Sequence, residues 1–103
     1  MSETTTTHVH GYTKGKDAIV KRLHRIEGQV RGIERMVADE RYCIDILTQI
    51  SAATTALDAV GLRILGEHVE SCVAGALASG DEDAAKAKSR ELLAAVERFT
   101  RTR

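Results

Sequence analysis

The sequence predicts an all-α fold: a three-helix protomer with a long second helix. The 103 residues include no proline, so nothing forces a helix to break. Hydrophobic residues make up 43% of the chain but aromatic residues only 3%, so the core must be built from aliphatic side chains. Apolar residues recur every three or four positions over long stretches, which is the period of an α-helix.

The first helix is predicted over Lys14–Ala38, after a polar, threonine-rich arm at residues 1–13. Its apolar residues alternate at spacings of four and three and so form one stripe along the helix. They are Ile19, Leu23, Ile26, Val30, Ile33 and Val37. Gly28 and Gly32 lie one turn apart in this helix, where each costs roughly 1 kcal/mol. We therefore expect another helix to approach closely there.

The second helix is predicted from Tyr42 to Ala78, because its apolar pattern continues without a proline. Ser79-Gly80-Asp81 then ends it, since glycine suits a helix C-terminus and aspartate suits the N-cap of the next helix. The third helix is predicted to extend to Thr100. Residues 14–103 are therefore expected to form a single helical domain.

Positive charge is concentrated in the first helix, although the chain has 15 basic and 15 acidic residues and is neutral overall. Such a basic face is either a solvated surface or a surface for phosphates. In an oligomer, several such faces can form one patch that binds nucleic acid. The candidate DNA-binding residues are Lys14, Lys21, Arg22, Arg25 and Arg31.

The composition also indicates a cellular compartment. No stretch approaches about 18 consecutive apolar residues, and the N-terminal residues lack the pattern of a secretory signal. We therefore expect a cytoplasmic protein with no membrane partner. The two cysteines, Cys43 and Cys72, are expected to be free thiols in a reducing compartment.

Three residues form a candidate metal site, although one of them is far from the other two in the sequence. His68 and Cys72 are spaced i, i+4, so both side chains can reach the same ion. Cys43 precedes His68 by a helix length of roughly 37 Å and cannot join them within one straight helix. Two copies packed antiparallel about a two-fold axis would bring Cys43 of one protomer to His68 and Cys72 of the partner subunit.

The donor set favours a soft metal ion. Two thiolates and one imidazole suit Cu(I), whereas Zn(II) normally takes a fourth ligand. His8 and His10 on the arm are candidate accessory ligands. An arm without a ligand role is the simpler interpretation of these two histidines.

Three motifs resemble those of the CsoR/RcnR family of metal-sensing repressors. They are Arg22-Leu23-His24-Arg25-Ile26-Glu27-Gly28-Gln29-Val30-Arg31-Gly32-Ile33, Tyr42-Cys43-Ile44-Asp45-Ile46-Leu47-Thr48-Gln49-Ile50-Ser51-Ala52 and His68-Val69-Glu70-Ser71-Cys72. The resemblance covers roughly residues 10–99 and is closest to the copper-sensing type. It implies an antiparallel helical dimer that assembles into a dimer-of-dimers tetramer. It also implies that the metal-free form binds operator DNA and that metal binding releases the repressed copper efflux genes.

The resemblance assigns roles to individual residues. The Cys-His-Cys triad of the copper sensors maps onto Cys43, His68 and Cys72. Tyr42 and Glu91 correspond to partners of the histidine nitrogen that does not bind metal. Arg22 matches a DNA-contact position.

The DNA footprint stays open at one position. Some family members have a second basic residue for DNA binding in the middle of the second helix. This chain has Ala59 at that position.

Alternative functions remain open. Within the family, nickel, cobalt or zinc sensors and persulfide sensors use related ligand sets, and formaldehyde sensors rely on the first cysteine and the N-terminal amine. Outside the family, the alternatives are a cytosolic metal buffer or chaperone without DNA binding and a plain helical interaction module. An enzyme is least expected, because a Cys-His pair on helical positions lacks a glycine-rich loop or an evident pocket.

Overall fold

The computed structural model describes residues 10–101, and every regular element in that range is helical. A 3-10 turn, Thr13–Gly15, leads into α1, Lys16–Ala38. Helix α2, Cys43–His68, continues through a π-helical turn, Val69–Val73, into α3, Ala74–Ala78, and α4 spans Glu82–Arg101. The all-α prediction with a long second helical run is therefore confirmed for these residues. The predicted run differs in one respect, because the π-helical turn interrupts its α-helical bonding at Val69–Val73.

The break between α1 and α2 contains a left-handed residue. The Asp39 N–H donates to the Arg35 carbonyl at 2.8 Å, and the Arg41 N–H donates to the Met36 carbonyl at 2.9 Å. Between them Glu40 has a φ of 54°, a conformation that is uncommon for residues with a side chain. These hydrogen bonds satisfy carbonyl groups that the end of α1 would otherwise leave unpaired.

The end of α3 and the start of α4 follow the predicted capping pattern. Gly80 has a φ of 80°, which costs glycine little. The Ala84 N–H donates to Asp81 Oδ1 at 3.1 Å, as expected of an aspartate N-cap. Glu82 and Asp83 occupy the first turn of α4, where negative charge is favourable.

The chain forms two compact units. In the unit Lys14–Arg63, Ile19 and Ile26 of α1 pack with Val60 of α2, and Ala56 packs against this cluster. The exposed fractions of Ile19, Ile26 and Val60 are only 5%, 8% and 3%. The second unit joins the N-terminal residues to Ile64–Arg103. Its described part, residues 10–13 and 64–101, contains one buried hydrophobic residue, Val73.

Much of the apolar stripe on α1 is exposed. Val30 is 53% exposed and Val37 is 58% exposed, although both belong to the predicted stripe. Leu47 and Leu57 on α2 are similarly exposed, at 59% and 52%. Within residues 10–101, the protomer therefore covers only part of its own apolar surface.

The predicted close approach at Gly28 and Gly32 is not made by this protomer. An added Cβ at either glycine would meet nothing within 4 Å among the described residues. Both positions are therefore open to an approaching helix of a second protomer.

One helical run passes a test for a membrane span, contrary to the expectation from the sequence. The run Cys43–Ala78 contains 36 residues. Its most apolar 18-residue window has a mean hydropathy of 1.2, and 11% of that window is buried. It is long and apolar enough to cross a membrane by length and composition alone. A single such helix is weak evidence for a span, because the core helix of a soluble protein, which is mostly buried, has a similar length and composition.

Candidate metal-binding site and DNA-binding surface

His68 and Cys72 lie four residues apart on one helical run, at the point where its hydrogen bonding changes. His68 is the last residue of α2, and Cys72 lies within the π-helical turn Val69–Val73. Such turns form i→i+5 hydrogen bonds and are frequent at functional sites. The Cys72 thiol is free and partly exposed, and the His68 side chain is 32% exposed. Both ligand candidates are therefore accessible.

A carboxylate from α4 faces the imidazole of His68. Glu91 Oε1 lies 4.0 Å from His68 Nε2, and it accepts a hydrogen bond from Lys88 Nζ at 3.3 Å. The distance to His68 is too long for a hydrogen bond but is within the range of an ion pair with a protonated imidazole. The structure thus brings together two residues that are 23 positions apart in the sequence.

Cys43 and Tyr42 belong to the other compact unit. Cys43 is the first residue of α2 and is an exposed, free thiol. Tyr42 is 66% exposed, and its carbonyl accepts a hydrogen bond from the Ile46 N–H at 3.2 Å. Tyr42 thus lies at the N-terminal end of α2, next to the candidate ligand.

A complete ligand set is not assembled within one described protomer. Among residues 10–101, no group of three or more His, Cys, Asp or Glu side chains is placed to hold a metal ion. The predicted site between two subunits stays a prediction.

The arm lies partly within the described residues. His10 stacks on Tyr12, with ring centroids 5.7 Å apart and planes inclined by 9°. Gly11, between them, lies against the backbone of Glu67 and His68. His8 lies outside the described residues, so the structure bears on only one of the two candidate accessory histidines. Sequence reasoning missed Gly11, and its only signal is a glycine between two aromatic rings.

The candidate DNA-binding residues are all exposed. Four of them are on α1 and Lys14 is in the preceding 3-10 turn. Arg22 and Arg25 line an open groove of about 470 Å³, together with Gln29, and Ala56 and Ala59 of α2 line its other side. Gln29 is not among the residues predicted from the sequence, although its spacing from Arg22 and Arg25 places all three on one helix face.

Comparison with known proteins identifies the family. The sequence model of the metal-sensitive transcriptional repressor family matches residues 15–98. The chain belongs to this family. The resemblance of its three motifs to the metal-sensing repressors is thereby confirmed.

Both copper-sensing and nickel-responsive proteins are similar to the chain. The copper-sensing transcriptional repressor RicR of Mycobacterium tuberculosis is 52% identical over 96 residues, which cover 93% of this chain and 99% of the relative. The copper-sensing repressor CsoR with Cu(I) from Geobacillus thermodenitrificans has a TM-score of 0.78 at 42% identity, covering 97% of this chain and 93% of that structure. The nickel-responsive regulator InrS has a TM-score of 0.71 at 38% identity, covering 81% and 90%. The fold is therefore shared between copper- and nickel-responsive proteins.

Proposed function

We propose that the protein is a copper(I)-responsive transcriptional repressor. Its metal-free form binds operator DNA, and Cu(I) binding releases the DNA and derepresses copper efflux and homeostasis genes. The observation that carries this proposal is the donor set on the long helical run, namely Cys43 at its start and His68 with Cys72 near its end. The similarity to RicR and to CsoR with Cu(I) favours copper over other metals.

The chemistry of the donor set fits Cu(I). Two thiolates and one imidazole form a soft, low-coordinate set, and both thiols are free and accessible. Glu91 is on the Nε2 side of His68, so we assign Nδ1 as the ligating nitrogen. A carboxylate beside the other ring nitrogen orients the imidazole and makes it a better ligand.

The proposed assembly is an antiparallel dimer, with dimers pairing into a tetramer. Packing against a second copy would cover apolar residues such as Val30, Val37 and Leu47, which are exposed in the protomer. It would also add Cys43 to His68 and Cys72 of the partner subunit, and two-fold symmetry would produce two equivalent sites. The incomplete ligand set of the described protomer is consistent with this assembly.

The proposed DNA-binding surface is the basic face of α1 and the turn before it. Arg22 and Arg25 are exposed on one side of an open groove, where guanidinium groups can contact phosphates. Repetition of this face in a tetramer would extend the positive surface and increase the number of phosphate contacts. The role is regulatory and requires no catalytic step, and we place the protein in the cytoplasm with its DNA target.

The two activities must be linked thermodynamically. If Cu(I) weakens DNA binding by a given factor, DNA weakens Cu(I) binding by the same factor. Typical coupling free energies are about 1–3 kcal/mol. Release of DNA therefore requires Cu(I) to bind the DNA-free conformation more tightly.

The test is an anaerobic Cu(I) titration of the reduced protein against a competing chelator, with DNA binding followed by fluorescence anisotropy in the same samples. The DNA probe is a duplex selected from random sequences by the metal-free protein. We expect one Cu(I) per chain and release of the duplex, with both effects lost in Cys43→Ala and His68→Ala. Tight Cu(I) binding without any selected duplex would instead indicate a metal buffer or chaperone.

A nickel-responsive repressor is the second candidate. It is favoured by the similarity to InrS and by His10, whose neighbour Gly11 contacts the backbone of His68. Release of the duplex by Ni(II) but not by Cu(I), with loss of that response in His10→Ala, would establish this alternative.

A further inference from the structure

Residues His10–Thr13 form a closed turn, which we call the N-terminal turn. The Thr13 N–H donates to the His10 carbonyl at 3.0 Å, and the His10 N–H donates to Thr13 Oγ1 at 3.1 Å. The rings of His10 and Tyr12 stack on each other. These interactions close the turn around Gly11.

Gly11 places this turn against the metal-binding end of α2. A Cβ added to Gly11 would clash with the Glu67 carbonyl oxygen and would lie 2.7 Å from the carbonyl carbon and 3.0 Å from His68 Cα. These are backbone atoms, which cannot rotate away as a flexible side chain can. An added Cβ at Gly66, one residue earlier on the same helix, would meet nothing within 4 Å. The close contact is therefore a property of Gly11 in particular.

The same turn is directly connected to the basic helix. Thr13 is also the first residue of the 3-10 turn Thr13–Gly15, and α1 begins at Lys16. The turn therefore contacts the backbone of a proposed metal ligand and is joined by one short segment to the proposed DNA-binding helix.

We propose that the N-terminal turn is a positioning element that couples the metal-binding end of α2 to α1, with Gly11 as its essential contact. This inference rests on the proposed function. A shift of the His68 backbone on metal binding must either move the turn or separate it from α2, because the contact leaves no space between backbone atoms. A displaced turn then changes the position of Lys14 and the start of α1. This coupling uses the backbone of His68, whereas Glu91 lies beside its imidazole.

The test compares Gly11→Ala with Gly66→Ala in the full-length protein. Both variants add one methyl group, but only the first adds it at the contact. The quantity measured is the ratio of the DNA dissociation constants of the Cu(I)-loaded and metal-free forms. We expect Gly66→Ala to keep the wild-type ratio and Gly11→Ala to lower it by roughly five-fold or more. Copper stoichiometry should stay close to wild type in both variants, and Gly66→Ala should also keep the wild-type DNA affinity of the metal-free form.

A second measurement uses only the metal-free protein. Amide hydrogen exchange at Thr13 reports whether the turn itself stays closed around Gly11, because the Thr13 N–H donates to the His10 carbonyl. We expect exchange to be faster by about ten-fold in Gly11→Ala and unchanged in Gly66→Ala. If Gly11→Ala loses its helical circular dichroism, Thr13→Val replaces it, because this change removes the Oγ1 acceptor at nearly constant size. Thr13→Val is expected to lower the coupling ratio in the same direction.

The outcomes separate this inference from the proposed function. A wild-type protein that does not release DNA with Cu(I) refutes both. A wild-type protein that releases DNA, together with an unchanged ratio in Gly11→Ala, refutes the coupling role of the turn alone. Unchanged Thr13 exchange in Gly11→Ala would also overturn it, because the close approach of Gly11 to α2 would then have no effect on the turn.

Discussion

Mixing two inactive variants tests whether the metal site is shared between subunits. Cys43→Ala removes the proposed ligand at the start of α2, and Cys72→Ala removes a proposed ligand just beyond its end. Helix α2 has 26 residues, and a regular helix of that length separates its ends by roughly 37 Å. Each variant alone should therefore bind no Cu(I) tightly, whereas a mixed dimer should contain one intact site.

The expected recovery follows from random pairing. Half of the dimers in an equal mixture are mixed, and one of the two sites in each has Cys43 from one chain with His68 and Cys72 of the partner subunit. The mixture should then bind about one quarter of a Cu(I) per chain, compared with about one for the wild type. A site formed within one chain would give no recovery, because every chain in the mixture lacks a ligand.

The assay is co-refolding of the two variants, followed by anaerobic Cu(I) titration against a competing chelator. A mixture of Cys72→Ala with His68→Ala is the matched control. Both variants lose a proposed ligand from the same end of α2, so no mixed dimer regains a complete set. Native mass spectrometry verifies that mixed dimers form. Mixed dimers of Cys43→Ala with Cys72→Ala that bind no copper would refute the antiparallel arrangement.

Four further predictions address the core, the site, the DNA surface and a glycine. Val60→Ala should lower the free energy of unfolding by about 2 kcal/mol, because it removes two buried methyl groups from the cluster of Ile19, Ile26 and Val60. Urea denaturation at fixed protein concentration measures this change. An unchanged denaturation midpoint would contradict the packing of Val60. Glu91→Gln should weaken Cu(I) binding by about ten-fold at unchanged stoichiometry in the chelator competition; equal affinity would remove Glu91 from the site. Arg22→Ala should reduce the salt dependence of DNA binding by about one unit of slope in anisotropy titrations, and an identical slope would exclude a phosphate contact. Gly28→Ala should raise the free energy of unfolding by about 0.5–1 kcal/mol, because alanine favours the helix over glycine. The added Cβ meets nothing within 4 Å in the protomer. A lower free energy of unfolding would instead indicate that a partner helix approaches closely at Gly28.

The helices themselves could be predicted from the sequence because their causes are local. The period of apolar residues and the absence of proline predict α1 and the long helical run to within a few residues. The Asp81 cap was predictable for the same reason, since a short side chain bonds to a backbone N–H three residues later. The i, i+4 spacing of His68 and Cys72 likewise depends only on one turn of the chain.

Other features depend on contacts between distant residues, and only the tertiary structure decided them. Ile19 and Ile26 are buried while Val30 and Val37 of the same stripe are exposed, because Val60 packs against the first two. The resemblance to the family implied that Glu91 is a partner of His68, but the distance between α4 and α2 at these residues follows from no local pattern. The requirement for glycine at position 11 arises from backbone atoms of Glu67 and His68. Helical period and capping act over one or two turns, so they can be predicted from the local sequence. Burial and close backbone contacts depend on residues that only folding brings together.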